Sequence, residues 1–102
     1  MEFSQVKAVV TGGASGLGEA TVRRIAESGG KAAIFDLNAE RAHKLIEELG
    51  EESVVYMETD VTDVGQVESN INAAVEQFGA INLIVNCAGI GKIGRASCRE
   101  RV

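Results

Sequence analysis

The run Val6-Lys7-Ala8-Val9-Val10 leads straight into Thr11-Gly12-Gly13-Ala14-Ser15-Gly16-Leu17-Gly18, and the residues after it favour helix. A β-branched run that enters a glycine-dense turn and leaves it as a helix reads as the start of a βαβ unit. Glycine permits positive φ and close approach of the backbone. The helix start adds unpaired N–H groups and a positive dipole end, which together suit a pyrophosphate. Gly12, Gly16 and Gly18 are the candidate phosphate-turn residues, and the glycine density exceeds what a plain strand-to-helix turn requires. A P-loop is excluded: Gly13 and Gly18 have its separation, but Glu19-Ala20 stand where Lys-Ser/Thr is needed.

The rest of the chain repeats the alternation. A helix over Leu17 to Ser28, with Leu17, Thr21 and Ile25 on one face, stops at Gly29-Gly30. Lys31 to Phe35 is a second strand, ending at Asp36. Asn38 can cap a helix whose Ala42, Leu45, Ile46 and Leu49 recur at helical spacing up to Gly50. Ser53 to Glu58 reads as a third strand. Thr62 can cap a third helix carrying Val64, Val67, Ile71, Val75 and Phe78 on one stripe, with Gly79 as its stop; Ile81 to Val85 is the fourth strand. Such alternation implies right-handed crossovers and a parallel sheet covered on both faces. The expected fold is α/β, a Rossmann-type doubly wound parallel sheet in order 3-2-1-4, truncated after the fourth strand.

Asp36 falls at the end of the second strand, 18 residues beyond Gly18. That is near the position of the acid that takes both hydroxyls of a ribose diol. Its charge would repel a 2′-phosphate, and neither Ser15 nor Leu37 supplies a compensating cation, so NAD is favoured over NADP. Taken alone, Asp36 could equally be a turn residue; the glycines give it a partner.

In combination, these features resemble the short-chain dehydrogenase/reductase family over residues 6 to about 91. The shared motifs are the Thr-Gly-x-x-x-Gly-x-Gly turn at Thr11 to Gly18, Asp60-Val61 after strand three, and Asn86-Cys87-Ala88-Gly89 after strand four. In the last, Cys87 replaces an Asn of the family's pattern. The resemblance implies that Ser15 and Leu17 line the phosphate turn and that Asp60 and Val61 hold the adenine. It also implies that Cys87, Ala88 and Gly89 lie under the adenine-side ribose. Within the family, TGGASGLG, Asp36-Leu37 and NCAGI are most similar to the type-2 3-hydroxyacyl-CoA dehydrogenase subgroup. The implied activity is interconversion of a secondary alcohol and a ketone on a small-molecule substrate, with a homotetrameric parent enzyme.

The family's catalytic Ser and Tyr-x-x-x-Lys have no counterpart here. Tyr56 is the only tyrosine, and Asp60, not Lys, stands four residues on. No catalytic residue is assigned, and the chain by itself is expected to be inactive, with an unpaired edge on its fourth strand and marginal folding. His43, the single histidine, reads as a solvated helix residue, and Glu47-Glu48 and Glu51-Glu52 as solvated acids, so no metal site is assigned. Cys87 and Cys98 lack metal-knuckle spacing and are expected to be free thiols.

Charge divides the chain at Gly91. Residues 1–91 carry six Lys/Arg and fourteen Asp/Glu, a net of −8, whereas 92–102 carry four and one, a net of +3. Ile93 to Val102, IGRASCRERV, is encoded without mismatch by ATC GGA AGA GCG TCG TGT AGG GAA AGA GTG, one reading frame of a common sequencing-library adapter. Residues 1–91 are therefore read as the N-terminal part of an NAD-binding domain, and 92–102 as a non-native tail, with Lys92 assignable to either source. A basic arm for an acidic partner is the competing view of this tail. The overall charge of −5 disfavours nucleic acid. No apolar run is long enough to span a bilayer, and the N-terminus does not read as a secretory signal, which points to the cytoplasm. Two other classes stay open: a non-catalytic nucleotide-binding module, and a doubly wound methyltransferase using a similar glycine turn and acid.

Overall fold

The structure, a computed structural model, describes residues 5–12 and 16–87 and the backbone of 99–101. The elements run β1 (Lys7–Thr11), α1 (Gly16–Glu27), β2 (Lys31–Asp36), α2 (Ala39–Leu49), β3 (Val54–Glu58), α3 (Val64–Phe78), β4 (Leu83–Asn86) and β5 (Arg99–Arg101). The sheet order is β3-β2-β1-β4-β5, and the first four strands are parallel, as the alternation predicts. The fourth strand's outer edge is not open: the backbone of β5 pairs antiparallel with β4, with Asn86 opposite Arg99. An unpaired row of N–H and C=O groups accepts an extended segment readily, which accounts for the difference.

Side chains alternate between two cores, as the period of two requires. Ala8, Val10, Ala32, Ile34 and Val85 pack with Val22 and Ile25 of α1 and Ala42 and Leu45 of α2. Val9, Ala33 and Phe35 pack on the other face against Ala74 and Phe78 of α3. Central strands buried on both sides need nearly continuous apolar sequence, and KAVVT and KAAIFD supply it.

Two helices are rotated from the expected faces. In α1 the buried residues are Gly18, Val22 and Ile25. Leu17 is 66% exposed, and the Thr21 hydroxyl bonds back to the Leu17 carbonyl at 2.8 Å. The choice of Gly18 over Leu17 lets the helix start lie close to the sheet. In α3, Ala74 and Phe78 are buried, whereas Val64 is 70% exposed. Asp63, not Thr62, caps this helix: its Oδ1 accepts from the Gln66 amide at 3.2 Å. Thr62 is committed elsewhere, both its amide and its hydroxyl donating to Asp60 Oδ1. The α2 cap is as expected, Asn38 Oδ1 accepting from the Arg41 amide at 3.1 Å.

An ionic chain joins α1 to α2. Glu19 lies 3.1 Å from Arg23 and 3.3 Å from Arg41, and Arg23 reaches Glu48 at 2.7 Å. The Arg23 hydrogen bond, chiefly, holds the Glu19 carboxyl below its ordinary pKa. A carboxylate with a depressed pKa stabilises the fold above its unfolded pKa, and that contribution is lost as pH falls through the folded one. Glu19→Gln should therefore give a small drop in thermal midpoint at pH 7 that vanishes on acidification, measured by melts across pH 3 to 7. On the helix faces, Phe78→Ala should cost about 3–5 kcal/mol in urea unfolding. Val64→Ala should change stability by less than about 0.5 kcal/mol.

Candidate functional site

The carboxyl ends of parallel strands are where folds of this kind bind ligands, and those predicted site residues that are described lie at or just beyond them. Beyond β1, Gly12 turns at φ 70° while its amide donates to the Phe35 carbonyl at 2.8 Å, extending the β1–β2 ladder into the turn. Gly16 opens α1 at φ 59°. A Cβ there would meet nothing within 4 Å, so its backbone angle, not crowding, calls for glycine.

At the end of β2, Asp36 is fixed from several sides. Its carbonyl accepts from the Tyr56 hydroxyl at 2.9 Å and from the Thr59 amide at 3.1 Å. Its Oδ1 accepts from the Asn38 amide at 2.9 Å, which couples the carboxylate to the α2 cap. After β3, the Asp60 amide donates to Gln66 Oε1 at 2.8 Å. Asp60 Oδ1 accepts from the Thr62 hydroxyl at 2.6 Å and the Thr62 amide at 3.0 Å. These bonds, the hydroxyl foremost, lower the pKa of Asp60 and keep it ionised. Thr59 is buried; its hydroxyl donates to the Met57 carbonyl at 2.8 Å and accepts from Asn70 Nδ2 at 2.7 Å.

Between these turns lies a cavity of about 130 Å³ lined by Gly12, Phe35, Asp36, Leu37, Thr59, Asp60 and Val61. It unites four of the sequence-predicted positions, Gly12, Asp36, Asp60 and Val61. Gly16, Leu17 and Gly18 are on the first turn of α1 and do not line it. Ser15, Ala88 and Gly89 lie outside the described residues. Cys87 follows β4, its amide donating to the Thr11 carbonyl at 3.0 Å and lying 3.1 Å from the Thr11 hydroxyl. That hydroxyl in turn donates to Asn86 Oδ1 at 2.7 Å. The expectation of free thiols is corrected: Cys87 is disulfide-bonded, the return of the chain along β4 having brought the C-terminal segment beside it. Cys98, the only other cysteine in the sequence, lies outside the described residues.

Four supporting residues were missed in the sequence. In the sequence Tyr56 reads only as the lone tyrosine without a Lys four residues on, and Thr59, Gln66 and Asn70 belong to no motif. Gln66 and Asn70 are four apart, on the α3 side that returns to β3, and polar residues at helical spacing beside Thr59-Asp60 were the available signal.

With this geometry in view, a family profile described as short chain dehydrogenase matches residues 6–100. The chain belongs to that family. It is 42% identical over 81 residues to 3-hydroxyacyl-CoA dehydrogenase type-2 of Drosophila melanogaster, covering 79% of this chain and 31% of the relative. A 2,5-dichloro-2,5-cyclohexadiene-1,4-diol dehydrogenase of Sphingobium indicum is 44% identical over 85 residues, 81% of this chain and 34% of its own length. Among solved structures, the 3-ketoacyl-(acyl-carrier-protein) reductase of Brucella melitensis, complexed with NADH, superposes with a TM-score of 0.77 at 33% identity. That match covers 82% of this chain and 34% of the reductase. The chain thus spans about a third of the length of the relatives it matches.

Replacing Thr62 by Val removes the hydroxyl donor and keeps the amide. The Asp60 pKa should rise toward its ordinary value, followed by the carboxyl ¹³C shift through an acid titration.

Proposed function

We propose that the chain is the N-terminal, cofactor-binding part of an NAD-dependent short-chain dehydrogenase/reductase that interconverts a secondary alcohol and a ketone. The observation that carries this reading is the cavity in which Gly12, Asp36, Asp60 and Val61 meet at the carboxyl edge of the sheet. Its donor set fits the adenosine end of a dinucleotide: an acid at the end of β2 for the ribose diol, and a second ionised acid with an apolar neighbour for the base. Bound NAD would supply the hydride acceptor. The residues of this chain bind and orient it: the turn at Gly12, Ser15, Gly16, Leu17 and Gly18 takes the pyrophosphate, and Asp36 takes the ribose. Asp60 and Val61 would hold the adenine, and the family resemblance assigns Cys87, Ala88 and Gly89 to the adenine-side ribose.

Asp36 also argues for NAD over NADP, because its charge opposes a 2′-phosphate. No catalytic residue is placed in this chain. Tyr56 belongs to the adenosine side, where its hydroxyl is committed to the Asp36 carbonyl, so it is not the tyrosine of a Tyr-x-x-x-Lys pair. By this reading the chain alone does not transfer hydride, and the catalytic residues follow it in a cytoplasmic, homotetrameric parent. Similarity to a type-2 3-hydroxyacyl-CoA dehydrogenase makes a 3-hydroxyacyl-CoA the first substrate to assay. Residues 93–102 are read as adapter-derived. Three paired residues in β5 do not argue against this, since any extended segment can fill an open strand edge.

Asp36→Ala in the full-length protein should weaken NADH binding about tenfold or more, the loss of charge-assisted bonds to two hydroxyls, and should narrow the preference for NADH over NADPH. Unchanged affinity, measured by NADH fluorescence titration, would remove Asp36 from the site. A read of the source DNA through codon 91 from genomic primers, without adapter ligation, should continue into a Ser and a Tyr-x-x-x-Lys. A natural gene that encodes IGRASCRERV and stops would overturn the catalytic assignment.

A further inference from the structure

We infer that Tyr56 is a positioning residue for the adenosine end of this site, holding the Asp36 peptide so that its carboxylate faces the ribose in one orientation. The inference rests on the NAD reading above. Tyr56 sits opposite Ile34 in the β2–β3 register, two positions before the Asp36–Glu58 pair. Its hydroxyl reaches two positions further along β2 and ends 2.9 Å from the Asp36 carbonyl. The Thr59 amide approaches the same oxygen at 3.1 Å, so this carbonyl accepts two donors from the strand-three side. One residue on, Leu37 lines the cavity, and the Asn38 amide then closes on Asp36 Oδ1. Fixing the carbonyl and one carboxylate oxygen of a single residue leaves that side chain little freedom to turn.

The tyrosine is itself held at its ring. It packs against the core under α1 and α2, and His43 of α2 meets it edge-on with ring centroids 5.6 Å apart. Burial, with the charges of Glu58 and Asp36 adding to it, pushes the phenol pKa up, so the hydroxyl stays a donor. Phenylalanine would satisfy the packing and the His43 contact equally well. The hydroxyl is what the packing does not explain, and it is spent on the residue that selects the cofactor.

The test is a double-mutant cycle in the full-length protein, with NADH and NADPH affinities read by fluorescence titration and folding followed by urea unfolding. Tyr56→Phe should weaken NADH binding about fivefold, the size of one net hydrogen bond, and should narrow the preference for NADH over NADPH. In the Asp36→Ala background the same change should have no further effect, because the tyrosine acts through Asp36. His43→Ala, at an exposed helix position, loosens the ring without removing the hydroxyl. It should shift the preference in the same direction, again only while Asp36 is present, and it serves if Tyr56→Phe does not fold. Affinity within twofold of wild type, or an equal loss with and without Asp36, overturns the positioning role alone. Failure of the wild-type protein to bind NADH overturns the cofactor reading, and this inference with it.

Discussion

The structure depends on β1 being paired on both sides by parallel neighbours. Val10 stands beside Ile34 on one flank and Val85 on the other, so a strand with no free edge sits at the centre of both cores. Its ladders run on past its last apolar residue: Gly12 donates across to β2, and Cys87 donates back to Thr11. Both bonds are made at the rim of the sheet, where the chain has to change direction. The turns are thereby fixed by the same hydrogen-bond pattern that fixes the core, and the cleft they enclose inherits its rigidity. Backbone groups that would otherwise be orphaned at strand ends are instead used to shape the site.

A division of labour follows between the glycines and the acids. On the proposed reading, glycine at the end of β1 keeps side chains out of the space that the pyrophosphate would approach. Asp36 and Asp60 end or follow the two strands on one side of it and put negative charge at two separated points. Neither acid is left to find its own conformation. Asp36 is tied to α2 through Asn38 and to β3 through Tyr56, and Asp60 to α3 through Gln66 and to its own turn through Thr62. A carboxylate restrained before a ligand arrives has less entropy to lose when it binds, which is the advantage of preorganisation.

Element order, the 3-2-1-4 topology and the cavity's four predicted residues were legible because each rests on a local or strongly periodic signal. The strands carry β-branched runs, Asn38 and Gly50 bound α2, and the acids come at the ends of strands. The errors fall where several local solutions compete. Thr62 and Asp63 are both good caps, and the choice between them was made by Asp60, which takes both donors of Thr62. Leu17 and Gly18 are adjacent, and only the closeness of α1 to the sheet decides that the glycine faces inward. The roles of Tyr56, Gln66 and Asn70 depend on contacts made across turns, for which a strand or helix pattern carries no mark. Cys87 likewise gave no sign of its bond, because disulfide pairing depends on where a distant segment returns.

The placement of Tyr56 bears on how the two halves of such a site can be separated. In the family's pattern a tyrosine does the proton chemistry at the nicotinamide end, yet the one tyrosine here has its hydroxyl already donated to the backbone carbonyl of Asp36, the residue proposed to hold the adenine-side ribose. A phenol in that state has no second proton to give to a substrate oxygen. On the proposed reading, binding of the adenosine end and chemistry at the nicotinamide end therefore draw on different stretches of chain. The first would draw on β1 to β4 and the turns between them; the second would need a tyrosine and a lysine four residues apart, an arrangement this sequence does not contain. A dinucleotide long enough to span both is what would join them into one active site.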